Sequence, residues 1–301
     1  MKMKLLIIGS LALDTVKTPF GKNVDAPGGS AAYAAVSASY FTDVKIIGVV
    51  GTDFPKRYLR FLEKKGIDLS GIEIKKGKTF RWEGRYDWSL NSPKTIATYL
   101  NVLAGFNPAL SDKDKRCGFI FLANDDPELQ LKVISQVSSP KLIAADTIEY
   151  WIKNKRPELI KVLKKVDIFI INEDEARLLT KEPNLIKAAK KIISYGTPRV
   201  IIKKGEHGLL YVTKKEMFSC PGYPLESVYD PTGAGDSFAG GFLGFLASAK
   251  KINVGTYRKA LIYGSIMASY NVEGFDLKVL ARLNRRLIEK RYKEFERLIR
   301  F

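Results

Sequence analysis

Residues 230–236 read Asp-Pro-Thr-Gly-Ala-Gly-Asp, and the small apolar run Ser-Phe-Ala-Gly-Gly-Phe-Leu-Gly-Phe-Leu follows directly. A glycine-rich turn before such a run predicts a helix that begins near Gly235. The first turn of a helix exposes backbone N–H groups without partners inside the helix, and the helix dipole adds partial positive charge there. Gly233 and Gly235 carry no Cβ, so a phosphate can approach the backbone closely. The stretch therefore predicts an anion site at a helix N-terminus.

Asp236 is the unusual member of this turn, because a carboxylate repels a neighbouring phosphate. Such a residue can instead take the proton of an attacking hydroxyl, which is the acid–base task in phosphoryl transfer. A capping aspartate beside turn glycines is also an ordinary helix start, so this interpretation stays open at this point. Two other nucleotide motifs are excluded, because the chain has no GxxxxGK[ST] and Phe238 stands where a dinucleotide-binding turn has its third glycine.

Two motifs resemble those of one family. Residues 230–242, DPTGAGDSFAGGF, resemble the C-terminal signature of the ribokinase-like (PfkB) family of carbohydrate and nucleoside kinases, and residues 28–35, GGSAAYAA, resemble its N-terminal signature. The resemblance implies an α/β fold of the ribokinase-like three-layer α/β/α type, with a mostly parallel central sheet and a small β-sheet lid. It also implies a single kinase domain over residues 1–301, with the lid formed by about residues 15–25 and 72–104.

Composition narrows the class of protein further. Hydrophobic residues make up 46% of the 301 positions, which suffices for a sizeable core. Two cysteines that lie far apart, Cys117 and Cys220, argue against a disulfide framework and favour a cytoplasmic location. His207 is the single histidine and there are no cysteine pairs, so no zinc motif exists and Mg²⁺ is the expected catalytic metal.

The formal charge of +18 raises the question of a nucleic-acid partner. The lysines and arginines are spread over many segments and no motif that reads bases accompanies them, so nucleic acid is the weaker interpretation. The charge also attracts anionic nucleotides. No run approaches the roughly 20 apolar residues of a membrane-spanning helix, and we expect no membrane partner.

The acceptor side of the predicted site lies near the start of the chain. The apolar run over Lys4–Gly9 predicts a buried parallel strand, and Asp14 follows at its carboxyl end, where ligands bind in open α/β sheets. The resemblance implies that this aspartate binds substrate hydroxyls and that Gly28 and Gly29 let the backbone approach the substrate. Tyr33 stands where many sugar kinases of the family carry an asparagine, which is a departure from the pattern.

The nucleotide side lies in the second half of the chain. Asn172 and Glu175 follow the apolar run VDIFIIN and stand one helical turn apart, a pattern that is also typical of a helix cap. The resemblance implies that the NxxE pair contacts the nucleotide and organises the waters of Mg²⁺. It further implies that a GxxG turn contacts the nucleotide, here formed by Gly205 and Gly208 with Lys203 before it.

The resemblance implies Mg²⁺-dependent transfer of the terminal phosphoryl group of a purine nucleotide, ATP or ADP, to a hydroxyl of a sugar or sugar derivative. Asp236 is the expected base, and the amides of Gly233, Ala234 and Gly235 are expected to stabilise the phosphoryl oxygens. A nucleoside kinase of the same fold and a non-catalytic sugar or nucleotide sensor are the alternatives. The family also suggests K⁺ near the Asp230 end of the motif and a homodimer formed through the lid.

Overall fold

The computed structural model describes residues 5–300, which separate into two compact units. Unit 1 comprises residues 5–106 and 223–300, and unit 2 comprises residues 107–222. The strands are β1 (Leu5–Ile8), β2 (Ala12–Thr18), β3 (Gly21–Gly28), β4 (Val44–Gly51), β5 (Ile67–Lys75), β6 (Phe80–Arg85), β7 (Lys94–Tyr99), β8 (Phe119–Leu122), β9 (Leu142–Asp146), β10 (Ile168–Asn172), β11 (Arg199–Lys203), β12 (Leu209–Thr213) and β13 (Met217–Cys220).

The helices alternate with these strands along much of the chain. They are α1 (Ser30–Ser39), α2 (Lys56–Lys64), α3 (Asp112–Lys115), α4 (Pro127–Gln136), α5 (Glu149–Asn154), α6 (Arg156–Leu163), α7 (Glu173–Thr180), α8 (Leu185–Ser194), α9 (Ala234–Ser248), α10 (Val254–Asn271), α11 (Lys278–Arg282) and α12 (Arg285–Leu298). Short 3-10 turns cover Asn101–Gly105 and Gly205–His207. None of the helices within residues 5–300 is both long and apolar enough to cross a bilayer.

In unit 1, strands β1, β4 and β5 pair in parallel. Every residue of β1 and β4 is buried, as expected of apolar strands covered on both faces. The predicted strand over Lys4–Gly9 is therefore confirmed for its apolar part, while Lys4 lies outside the described residues. Ile67 is buried, pairs with Val44 and begins β5.

Helices α1 and α9 of unit 1 pack at very short range. A Cβ added at Gly240 would lie 2.1 Å from the carbonyl oxygen of Ala34, so the backbones approach as closely as glycine allows. The Ser37 hydroxyl donates to the Ser237 carbonyl over 2.6 Å. This packing explains the dense alanine and glycine content of both helices, and it fixes the start of α9 beside α1.

A second sheet of unit 1, called the small sheet below, has the strand order β3-β2-β6-β7. Strand β2 pairs antiparallel with β3 and parallel with β6, and β6 pairs antiparallel with β7. Strands β6 and β7 fall inside the later of the two stretches predicted to form the lid. The action of this sheet as a lid stays a prediction.

Unit 2 contains strands in the order β13-β12-β11-β10-β9-β8. Strands β8 to β11 are parallel, and β12 and β13 add an antiparallel hairpin at one edge. Cys117 and Cys220 are both buried thiols that form no disulfide bond. The alternation of parallel strands and helices agrees with the predicted α/β class.

The chain after residue 276 forms two helices. It forms α11 and α12 with a break at Leu283, and the Asn284 side chain caps α12 by accepting the Leu287 N–H over 3.0 Å. The break changes the helical phase, so that Ile288 and Phe295 are buried while Leu287 is exposed. A break at Lys155 likewise separates α5 from α6.

Candidate active site

The start of α9 forms the turn that the motif predicts. Gly233 is the N-cap residue with φ of +76°, a left-handed conformation that favours glycine, and no side chain caps the helix. The Ala234 N–H donates to the Pro231 carbonyl over 3.1 Å, so this amide is already engaged inside the turn. The Gly235 N–H lies in the first turn, where no helical carbonyl precedes it. Asp236 lies in the same turn.

Buried polar side chains hold the motif in place. The Asp230 carboxylate accepts the Thr232 N–H over 2.9 Å, and the Asn271 amide donates to the Thr232 carbonyl over 2.7 Å. The Asn271 side chain in turn accepts the Ser237 hydroxyl over 3.1 Å. Helix α10 therefore braces both the turn and the first turn of α9, which preorganises the anion site.

Tyr33 lies directly against the turn. A Cβ added at Gly233 would lie only 2.4 Å from Cγ of the Tyr33 ring, so glycine is required there for packing as well as for its φ. The ring is buried, and its Cε2 lies 3.4 Å from the Cβ position of Gly28. Tyr33 thus joins the predicted acceptor residues to the predicted phosphoryl-transfer turn.

Asp14 meets the backbone of the Gly28-Gly29 pair. The Gly29 N–H donates to Asp14 Oδ2 over 3.3 Å, and a Cβ at Gly28 would lie 2.0 Å from the same oxygen. Gly29 has φ of +92°, and a Cβ there would lie 2.5 Å from the Ser10 carbonyl oxygen. The structure therefore places all four predicted acceptor residues in contact with one another or with the turn.

Asp14, Asp230 and Asp236 form a group of three acids that we call the carboxylate cluster. Burial raises the pKa of Asp14 to about 7, opposed by the hydrogen bond from Gly29 and reinforced by the charges of Asp236 and Asp230. Burial also raises the pKa of Asp230. The oxygens of these carboxyl groups favour a ligand that donates hydrogen bonds, such as a sugar hydroxyl.

The raised pKa of Asp14 predicts a specific loss of stability with pH. The folded protein keeps this proton up to about pH 7 while the unfolded chain releases it near the ordinary aspartate pKa of 3.8, so the stabilisation is full below pH 3.8 and lost as pH rises through 7. Against Asp14→Asn, the wild type should lose roughly 2–3 kcal/mol between pH 5 and pH 7. Denaturant unfolding at both pH values measures this, with the exposed Asp43→Asn as control. Parallel curves for Asp14→Asn and wild type would contradict it.

Tyr86 is a residue of this region that the sequence did not single out. It follows β6 directly, and its N–H donates to the Lys17 carbonyl over 2.8 Å. Its hydroxyl oxygen lies 3.4 Å from that of Thr232 in the turn. The alternation along β6 places Tyr86 on the same face as Phe80 and Trp82, but both of these are partly exposed, so periodicity alone gives no signal for Tyr86.

In unit 2, Asn172 and Glu175 form a reciprocal capping box at the start of α7. Asn172 Oδ1 accepts the Glu175 N–H over 2.8 Å, and Glu175 Oε2 accepts the Asn172 N–H over 2.9 Å. Burial raises the pKa of Glu175 to about 7, opposed first by the positive charge of Lys203. The helix-cap interpretation is thus confirmed. The cap uses one carboxylate oxygen of Glu175, which leaves a role toward a metal as a prediction.

The other predicted nucleotide residues also lie at the strand ends of unit 2. Lys203 pairs in register with Asn172 across β10 and β11. Gly205 and Gly208 have φ of +55° and +84°, and a Cβ at Gly208 would lie 2.0 Å from the Cys220 carbonyl oxygen. These glycines make the tight turn that the sequence predicted.

The donor chemistry of the Asn172 and Glu175 pair suits Mg²⁺ held through water. Between residues 5 and 300 no group of three or more His, Cys, Asp or Glu side chains is placed to hold a metal ion directly. One amide and one carboxylate match the few protein ligands that Mg²⁺ takes when it keeps most of its waters.

Comparison with known proteins identifies the class. The model of the pfkB family of carbohydrate kinases matches residues 130–277. A cytidine kinase of Thermococcus kodakarensis is 32% identical over 249 residues, which cover 80% of this chain and 87% of the relative. The chain therefore belongs to the pfkB family, and it is a phosphotransferase of the kinase type.

Solved structures confirm the fold class. The nucleoside kinase of Methanocaldococcus jannaschii matches with a TM-score of 0.78 at 21% identity, over 98% of this chain and 99% of that one. A ribokinase II of E. coli, solved in complex with ATP and Mg²⁺, matches with a TM-score of 0.80 at 20% identity, over 97% of this chain and 99% of that one. At these identities the matches establish the ribokinase-like fold.

Proposed function

We propose that this kinase transfers the terminal phosphoryl group of ATP to a sugar hydroxyl of a nucleoside, with Mg²⁺. The observation that carries the proposal is the start of α9, where Asp236 stands in the first turn beside an amide N–H and within electrostatic range of the Asp14 carboxyl. A base, an anion site and a hydroxyl-binding carboxylate close together are what phosphoryl transfer to an alcohol requires.

The site residues of unit 1 have separate roles in this mechanism. Asp14 accepts hydrogen bonds from the hydroxyls of the acceptor and orients it. Asp236 removes the proton of the attacking hydroxyl as its oxygen bonds to the terminal phosphorus and the bond from that phosphorus to the ADP oxygen breaks. The Gly235 amide and the helix dipole stabilise the negative charge on the transferring oxygens. The Ala234 amide supports the turn through Pro231 instead.

The residues of unit 2 serve the nucleotide in this proposal. Asn172 and Glu175 would hold the waters of Mg²⁺, and the metal would supply positive charge at the phosphates when bound. Lys203 and the turn of Gly205 and Gly208 would contact the nucleotide. The complex of the E. coli ribokinase II with ATP and Mg²⁺ supports this pair of cofactors.

The nucleoside acceptor is supported by the relative at 32% identity, which is a cytidine kinase, and by the nucleoside kinase among the structural neighbours. Tyr33 adds a buried aromatic ring beside the acceptor residues. Sugars and sugar derivatives are the broader class of acceptors, and a nucleoside is one member of that class. K⁺ activation, ADP as an alternative donor, a homodimer through the small sheet and a cytoplasmic location stay predictions.

A phosphorylation assay tests the proposed acceptor. The panel would contain cytidine, the other ribonucleosides, ribose and deoxyribose, each with ATP-Mg²⁺ and with ADP-Mg²⁺. We expect a nucleoside to exceed ribose in kcat/KM by roughly 10-fold or more, because a site built for the base leaves polar groups unpaired with ribose alone. Preference for ribose would reject the nucleoside assignment. No turnover, with ATP binding still seen by calorimetry, would favour the sensor.

A further inference from the structure

The segment directly after β6 contains two aromatic side chains, one buried and one exposed. Tyr86 is 6% exposed, whereas Trp88 is 79% exposed two residues later. The main chain of Tyr86 still belongs to the small sheet, because its N–H bonds to Lys17 of β2 and extends the pairing of Lys17 with Arg85. The small sheet therefore places the side chain of Tyr86 in the interior of unit 1.

The phenol group of Tyr86 reaches the phosphoryl-transfer turn. The Thr232 hydroxyl donates to the phenol oxygen over 3.4 Å. The phenol O–H can therefore donate a hydrogen bond to a ligand. Burial raises the pKa of Tyr86 above its usual range, opposed by the hydrogen bond from Thr232 and reinforced by the charges of Asp230, Asp14 and Asp236. Tyr86 is thus within electrostatic range of every member of the carboxylate cluster and stays protonated.

We propose that Tyr86 is a positioning residue for the acceptor, acting through its contact with Thr232 and carried into place by the small sheet. The inference rests on the proposed function and deepens it. In this role the Tyr86 hydroxyl accepts the Thr232 hydroxyl, which holds the turn, and keeps its own proton as a neutral hydrogen-bond donor beside the carboxylate cluster. A neutral donor binds a sugar oxygen without adding to the repulsion between the cluster and the phosphates.

Further contacts, independent of Tyr86, attach the small sheet to the rest of unit 1. Asn23 of β3 donates to the Asp276 carboxylate over 3.1 Å, and the Phe20 ring lies 5.8 Å from the Tyr229 ring. These two contacts join the tip of the small sheet to the loops beside the motif, whereas Tyr86 joins the sheet to the motif itself. Removal of the Tyr86 hydroxyl therefore leaves the sheet attached, and the substitution isolates the effect on the site.

Steady-state kinetics of Tyr86→Phe test the proposal. We expect KM for the acceptor to rise about 10-fold, as for a lost neutral hydrogen bond, while KM for ATP stays within about twofold. Tyr99→Phe removes the same hydroxyl from an exposed tyrosine of the same sheet, 51% exposed, and should behave as wild type. The melting temperature of both variants should match that of wild type.

A double-mutant cycle separates positioning from general structural support. Thr232→Val removes the partner hydroxyl while its backbone N–H remains on Asp230. If Tyr86 acts through Thr232, the double variant should raise the acceptor KM no further than the stronger single variant. If the increases in acceptor KM of the two single variants multiply in the double variant, Tyr86 does not act through Thr232. An unchanged acceptor KM in Tyr86→Phe would overturn the inference and leave the kinase activity unaffected. A wild type that phosphorylates no acceptor would instead reject the proposed function, and this inference with it.

Discussion

Replacing Asp236 with asparagine should lower kcat by about 10³-fold and leave ATP binding nearly unchanged. Asparagine keeps the size of the side chain and its place in the first turn of α9 but cannot accept the proton of the attacking hydroxyl. The removal of one negative charge near the phosphates works in the opposite direction on binding, so nucleotide affinity should hold or improve slightly. Single-turnover kinetics measure the chemical step, and calorimetry with ATP-Mg²⁺ measures the affinity.

Asp230→Asn is the matched control for this experiment. It makes the same chemical change in the same motif, and the new amide oxygen can still accept the Thr232 N–H as the carboxylate does. We expect less than about a tenfold loss in kcat, because this side chain is placed for bracing rather than for proton transfer. Equal losses in the two variants would indicate that the charge of the carboxylate cluster sets the rate, and Asp236 would no longer stand as the base.

The sequence predicted those parts of the fold whose signal is local. Strand β4 (Val44–Gly51) carries such a signal, because an apolar run interrupted only by Lys45 has few other interpretations. The start of α9 is one residue from the predicted position, since glycine conformation and helix periodicity both mark it. The same applies to the capping box at Asn172, whose two halves stand three residues apart.

Contacts between distant segments could not be predicted in the same way. The packing of Tyr33 on Gly233 and the bracing of Thr232 by Asn271 join residues that no local pattern links. Tyr33 was predicted at the acceptor site only from its place in the motif of residues 28–35. Nothing in that motif indicates that its ring requires a glycine at position 233. Tyr86 is a stronger case, because its burial depends on the position of the whole small sheet.

The capping box shows where a local pattern allows two roles at once. The cap is a sufficient structural reason for Asn172 and Glu175, and it accounts for one oxygen of each side chain. A metal role would use the remaining carboxylate oxygen, and burial of Glu175 is unnecessary for capping, which exposed residues perform as well. The two interpretations are therefore compatible.

Gly29→Ala should destabilise the protein by about 4 kcal/mol, through strain in a backbone region that only glycine adopts and overlap with the neighbouring chain. Gly29 has φ of +92° and ψ of 150°, and the added Cβ would lie 2.5 Å from the Ser10 carbonyl oxygen and 2.8 Å from the Ala12 nitrogen. Both obstacles are backbone atoms next to β1 and β2, so they cannot move aside as a side chain would. Calorimetry should show a fall in melting temperature of roughly 10 °C.

Gly66→Ala separates the two causes of this loss. Gly66 has φ of +75°, but a Cβ there meets nothing within 4 Å, so only the left-handed strain of about 1 kcal/mol is expected. The excess loss in Gly29→Ala then measures the close approach of the Gly28-Gly29 backbone to Ser10. Because a shift of Gly29 also moves its N–H away from Asp14, the acceptor KM should rise in the folded fraction of Gly29→Ala alone. Equal melting temperatures for the two variants would show that the backbone at Gly29 can yield, and that glycine there serves only its φ.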